Sequence, residues 1–251
     1  MSPASPRQVP PAVLTVLAVA LALVTGGCSA PAQPVVPRAS AEGAVRLTAT
    51  LDSPTDVTLR WRGGGPATAG YAVEFATDLG GPYTILGFLP PSRTTYTHPD
   101  LIPRTTFTYR VRPLYGPASE AVDVTVPGRP AGDRDQRNIA WTAPTTRPGG
   151  PPATRPVTGP GGAPSNLSAT VRDGDGIAFT WTDRSTDEEG FLLEDRPRGQ
   201  RDFRVVAYLD PGVNAFGLIT LPDERRAAYR VRAFRYGPSS NLVHRTTGGD
   251  P

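Results

Sequence analysis

The sequence predicts an all-β protein: two tandem β-sandwiches joined by a disordered Pro/Gly/Arg-rich linker. Three observations carry this expectation. The chain repeats itself at a spacing of 120 residues, apolar and polar residues alternate within each copy, and turn signals fall wherever the alternation breaks. No stretch of either copy sustains a helical period. A length of 251 residues with 30 Pro and 27 Gly fits two small modules and a share of linker better than one large core.

The elements follow in chain order. Residues 1–11 are polar and Pro-rich with the single Arg7, and 12–24 form an apolar run too short to cross a bilayer, which is the shape of a secretory signal. Directly after it, Val24-Thr25-Gly26-Gly27-Cys28-Ser29 resembles a bacterial lipobox, where small residues precede a cysteine that is lipidated and becomes the mature N-terminus. The resemblance implies a signal peptide over 1–28, lipidation of Cys28, export, and a lipid anchor in the membrane at the cell envelope. The lipobox usually carries Leu where this chain has Thr25. The competing route is cleavage after Ala30, which would put Pro31 first and release the protein. Residues 29–43 read as a flexible tether. As the one cysteine of the chain, Cys28 leaves no intramolecular disulfide to form.

Self-comparison sets the two modules, 44–127 and 163–245. Leu47-Thr-Ala-Thr50 recurs as Leu167-Ser-Ala-Thr170, Trp61 as Trp181, Glu74 as Glu194, and Tyr109-Arg-Val-Arg112 as Tyr229-Arg-Val-Arg232, each pair 120 apart. After Arg112 the offset becomes 121, since Tyr115-Gly-Pro matches Tyr236-Gly-Pro. Within a copy, Val57, Leu59 and Trp61 alternate with Thr58, Arg60 and Arg62, the pattern of a half-buried strand. Gly63-Gly-Gly-Pro66 and Asp210-Pro-Gly212 mark turns. Between the copies, 128–162 reads as an extended, solvated spacer containing one apolar island around Trp141, and 246–251 as a tail.

Three segments then carry a family resemblance. Ala163-Pro-Ser-Asn-Leu-Ser-Ala-Thr170, Trp181-Thr-Asp-Arg-Ser-Thr-Asp-Glu-Glu-Gly-Phe191 and Tyr229-Arg-Val-Arg-Ala233 resemble the A strand, the B–C corner and the F strand of bacterial fibronectin type III modules. The resemblance covers about two thirds of the chain and implies adhesion, protein contact or polysaccharide association. The family commonly places a Tyr six residues after the Leu of a Leu-x-Pro-x-Thr turn, its hydroxyl bonded to the corner backbone. Here those positions hold Phe107 and Ala227, so neither copy is expected to make that bond, and module 2 is expected to be the softer.

Candidate sites are few. Arg110, Arg112, Arg230 and Arg232 point outward on the F strands and could form an anion-binding stripe, or could pair with Glu74 and Glu194 on the neighbouring strand. Asp183, Asp187, Glu188 and Glu189 share one loop, a possible binding tip together with the turns at Tyr115 and Tyr236; their spacing does not match an EF-hand. No cofactor or metal is expected, since the two histidines, His98 and His244, stand apart and no Cys/His zinc spacing exists. Each module is charge-neutral, and the excess of +3 matches the linker's balance, so nucleic acid is not an expected partner. All 26 cations are Arg, a bias read as coding composition. The expectation is a monomeric, non-catalytic envelope protein that binds or spaces, meeting an unknown protein or polysaccharide at the cell surface. The alternative is a carbohydrate-associated accessory protein of a polysaccharide-degrading system.

Overall fold

Alternation resolves into fourteen strands among the described residues, which in this computed structural model are 43–78, 80–127, 140–148, 150–172 and 174–249. In the first sandwich, β1 (Arg46–Leu51), β2 (Val57–Arg62) and β5 (Thr95–His98) form one sheet in the order β1-β2-β5. Facing it are β3 (Gly70–Ala76), β4 (Thr84–Leu89) and β6 (Thr106–Tyr115), with β3 between the other two. In the second sandwich β8 (Ser165–Arg172), β9 (Gly176–Thr182) and β12 (Ala215–Ile219) face β10 (Gly190–Pro197), β11 (Arg204–Leu209) and β13 (Arg226–Tyr236) in the same order. A three-stranded A-B-E sheet against C′-C-F is the fibronectin type III-like arrangement. Each core is organised by one indole, Trp61 against Tyr71 and Trp181 against Phe191, both with ring centroids 5.6 Å apart.

The seventh strand of each sandwich comes from the other copy. β7 (Val122–Thr125) follows β6 in the chain but pairs with β13, putting Val124 and Val126 into the second core. β14 (Val243–Thr246) follows β13 but pairs with β6, and Val243 packs on the first core. The repeats 44–127 and 163–245 are therefore sequence units, while each sandwich is completed by its neighbour's last strand. The Tyr-Gly-Pro turns explain why. Proline lacks the N–H that a tight return hairpin would use, and at Gly116, φ +143°, an added Cβ would collide with the Ala233 carbonyl oxygen. Just beyond, Ser119 N–H donates to Val231 O (2.8 Å) and its Oγ accepts from Val231 N–H (3.1 Å). Ser240 repeats both bonds on Val111, at 2.9 and 3.0 Å.

The junction is a further small core. β13 runs past its own sandwich to pair with β6 at Arg235↔Tyr115 and Tyr236↔Leu114, joining both C′-C-F sheets into one of eight strands. The outer faces of these sheets bury Ala72, Leu114, Leu192 and Phe234 together. Phe88 stacks on Tyr208 with centroids 5.6 Å apart. Full burial of a Leu or Phe is worth about 1.5–3 kcal/mol, which makes this a substantial clamp between the sandwiches.

Three sequence expectations are corrected. The linker is not a solvated spacer over 140–148 and 150–162; residues 128–139 and 149 lie outside the described residues. Thr145 donates to and accepts from the edge of β12 at Ala215, Asn214 Oδ1 accepts from Arg147 N–H at 2.6 Å, and Val157 is fully buried in the second core. Nor are 246–249 a free tail: Thr247 is buried, donating from Oγ1 to Ile102 O at 2.6 Å, and Gly248 N–H reaches Pro54 O at 2.8 Å, while 250–251 lie outside the described residues. The corner bond missing at Ala227 is made two residues later, where Tyr229 OH donates to Glu224 O at 2.6 Å. Glu224 caps the turn there, its N–H donating to Leu221 O and its carboxylate accepting from Leu221 N–H. In the first sandwich Tyr109 OH instead meets His98 Nδ1 at 3.3 Å.

Candidate functional site

The strand periodicity that faces Val73 and Val111 inward turns Glu74, Arg110 and Arg112 to the other side of the sheet, and the second sandwich folds over that side. Glu74 is 2% exposed, taking Arg110 Nε at 2.6 Å and Arg112 Nη2 at 2.5 Å. Glu194 takes Arg230 Nε at 2.5 Å and Arg232 Nε at 2.9 Å. Aromatic rings cover the guanidiniums: Tyr83 lies 3.7 Å from Arg110, Tyr236 3.5 Å from Arg112, and Phe203 3.8 Å from Arg230. Arg232 Nη1 donates across the junction to Gly116 O at 2.7 Å. Burial pulls the Arg230 pKa below its ordinary value and, acting on the phenol, raises Tyr236 to about 12. The four arginines are thus neutralised within the junction, and the ion-pair alternative describes them; a solvent-facing stripe does not form.

The acids of the predicted binding loop make fastening contacts, while Asp187 and Glu189 remain exposed. Asp187 Oδ1 accepts from Val157 N–H at 2.6 Å and holds the linker, and its other oxygen lies 3.5 Å from Arg235. Glu189 Oε2 accepts from Tyr236 N–H at 2.6 Å, just before the second crossover. Asp183 caps its own turn through Ser185 N–H at 3.1 Å. Burial, with Asp183 nearby, raises the Glu188 pKa. Tyr115 and Tyr236 sit at the two crossovers, Tyr115 OH donating to Gly64 O at 3.0 Å. They are hinge residues of the strand exchange, each half-buried. Cys28 lies outside the described residues.

The histidines are spaced for no triad: His244 Nδ1 meets Thr108 Oγ1 at 2.9 Å and His98 is ringed by Phe75, Phe107 and Tyr109. Among the described residues no group of three or more His, Cys, Asp or Glu could hold a metal ion.

Two surfaces are left unplaced by the sequence, which offers docking on a module as one alternative for Trp141. Trp141, on a 3₁₀ turn at Ala140–Thr142, lies over Gly176 and Gly217, where any Cβ would run into its ring. The signal was present, since the other copy has Asp56 and Thr97 at those positions. The second surface is an open groove of about 1310 Å³ where the sandwiches meet, with Phe88, Pro90, Pro197 and Phe203 among its lining residues.

No protein-family model and no curated protein matches the chain. Among solved structures it is similar to a Fn3-like protein from Clostridium thermocellum, with 30% identity over 30% of this chain and 78% of that one, at a TM-score of 0.27. It is also similar to a two-domain fibronectin type III segment of chicken tenascin, 14% identical, covering 80% of this chain and 97% of that one at 0.27. The FN1–FN3 domains of chicken CNTN1 are 16% identical, with 82% and 67% covered, also at 0.27.

Proposed function

We propose that the protein is a non-catalytic binding or spacing element of the cell envelope, exported and lipid-anchored through Cys28. The observation that carries the reading is the reciprocal exchange of β7 and β14, backed by the buried junction. Two fibronectin type III-like modules so tied present their faces at a fixed angle, which suits display or spacing. The buried Glu74 and Glu194, with their arginines, hold the halves together. Rigidity of this kind favours binding because less order has to be imposed on contact.

Intact mass and membrane fractionation, wild type beside Cys28→Ala, test the anchoring. The expected wild-type product begins at Cys28, carries acyl mass and partitions into detergent, whereas the variant does not. A product cleaved after Ala30 without lipid overturns the anchor and makes the protein a released one.

A further inference from the structure

We propose that the outer face of the β1-β2-β5 sheet, continued by the groove between the sandwiches, binds an extended acidic polysaccharide. The inference rests on the reading of the protein as a binding element, and is independent of its anchoring.

The face is made by strand period alone. With Leu47, Leu59 and Trp61 turned into the core, Arg46, Thr48, Arg60, Arg62 and Thr95 stand on the opposite side, all exposed. Arg46 and Arg62 are direct cross-strand partners. Like charges placed opposite one another are unfavourable, yet none of the three arginines has an ion pair among the described residues, and the nearest acids of this sheet, Asp52 and Asp56, lie at its other end beyond the Leu51↔Val57 pair. Thr94 and Thr95 line both this face and the groove. There Arg93, Arg198, Arg201 and Arg226 are exposed and also without ion pairs among the described residues. The groove's two carboxylates are engaged, Asp223 by Arg204 at 2.7 Å and Asp202 by Ser92 Oγ at 3.0 Å. Overall neutrality of each module hides this segregation because Glu74, Glu194, Asp195 and Glu224 are buried elsewhere.

The hydroxyls select among polyanions. Thr48 Oγ1 donates to Arg60 O and Thr95 Oγ1 to Leu59 O, both at 3.1 Å, so each presents its oxygen outward as an acceptor. Guanidinium forks match carboxylate or sulfate pairwise, and hydroxyl acceptors between them match sugar O–H donors. A polymer carrying both groups is an acidic polysaccharide. Single-stranded nucleic acid binds by stacking bases on exposed aromatics, and the indole of this sheet, Trp61, is 2% exposed and turned inward.

The test measures binding of the full chain to polygalacturonate and dextran sulfate, with neutral dextran and a single-stranded oligodeoxynucleotide alongside. Binding to both acidic polymers, weakening steeply with salt, and absent for neutral dextran, is expected. Arg46→Ser/Arg60→Ser/Arg62→Ser should bind about tenfold or more weakly, while Arg147→Ser/Arg172→Ser, which removes charge elsewhere, should bind as wild type. If the triple variant unfolds, Arg60→Ser alone serves, with a loss of about threefold. The proposal is overturned if neither acidic polymer binds at low salt, if the distant variant loses as much as the triple, or if the oligodeoxynucleotide binds as tightly as the acidic polymers. Because Cys28→Ala should leave polymer binding unchanged, failure here is separable from failure of the anchor.

Discussion

The two copies carry the same sheet in different states. In the first sandwich the outer face of β1-β2-β5 is open and bears arginine and threonine. In the second, the matching face has lost its side chains at Gly176 and Gly217, where Trp141 lies on it, and Thr145 adds to the edge of β12, while Asn166, Ser168 and Thr170 of β8 stay exposed. The linker thus covers one end of the second face and leaves the first face free of it. A repeat protein in which only one copy's face is partly covered has a polarity that period and composition do not disclose.

The deepest likeness between the halves is the buried Glu–Arg cluster, and breaking it should have the largest effect. Removing Glu194 leaves Arg230 and Arg232 facing each other, 26% and 10% exposed, whereas Arg110 and Arg112 beside Glu74 keep 25% and 22% of their surface, so the clusters differ at Arg232. Glu194→Ala is expected to cost about 3–5 kcal/mol in urea unfolding, the range for orphaning a buried charge. Glu74→Ala should cost less, because water can reach its arginines. Equal losses would mean that the junction shields both clusters alike.

The crossovers come next. Gly116 combines φ +143° with a clash on backbone, while Gly237 meets chiefly the side chains of Tyr115 and Pro113. Gly116→Ala should destabilise by about 1–3 kcal/mol, and Gly237→Ala by less, since a ring can turn where a carbonyl cannot. If either variant instead forms dimers by size-exclusion chromatography, the hinge has been redirected into exchange between chains.

Trp141 sharpens the contrast of faces. Giving the second sandwich the first one's residues, Gly176→Asp and Gly217→Thr, should expel the indole; the cost is about 1–2 kcal/mol for a half-buried side chain. Fluorescence should shift to the red as one of three tryptophans enters water. An unchanged spectrum would show that the linker is held by the Thr145 and Val157 contacts alone.

Strand period, repeat and turn chemistry were enough to read both sandwiches, because each is a local pattern at the residues Leu47, Trp61, Tyr109 and their copies. The exchange of β7 and β14 was not, since Val122 and Val243 alternate identically whichever F strand they join. Tyr115-Gly-Pro and Tyr236-Gly-Pro looked like exposed turns for the same reason: a hinge and a hairpin share their residues, and the partner across the crossing, Ala233 or Pro113, is distant in sequence. Glu74 and Glu194 could be paired with their arginines by register but not placed in a core, which depends on one sandwich folding over the other. The arginine face was masked by counting charge per module when the acids had been drawn inside.

The smallest effect separates the two F-strand tyrosines. Tyr109 meets His98, whereas Tyr229 meets a backbone carbonyl, and the residue matching His98 in the second copy is Leu218. Burial among Phe75, Phe107 and Tyr109 lowers the His98 pKa. The folded protein then binds fewer protons than the unfolded one below about pH 6.5, the ordinary histidine value. Its contribution is complete above that pH and is lost as the pH falls. The carboxyls of Asp183, Glu188, Asp195 and Glu224, all raised chiefly by burial, act in the opposite sense, but they are common to wild type and His98→Gln and cancel in the difference. Between pH 7.5 and 5.5 the wild-type urea midpoint should therefore fall more than that of His98→Gln. Parallel curves would mean that His98 finds a proton acceptor on charging, most simply by swinging its ring away from Tyr109.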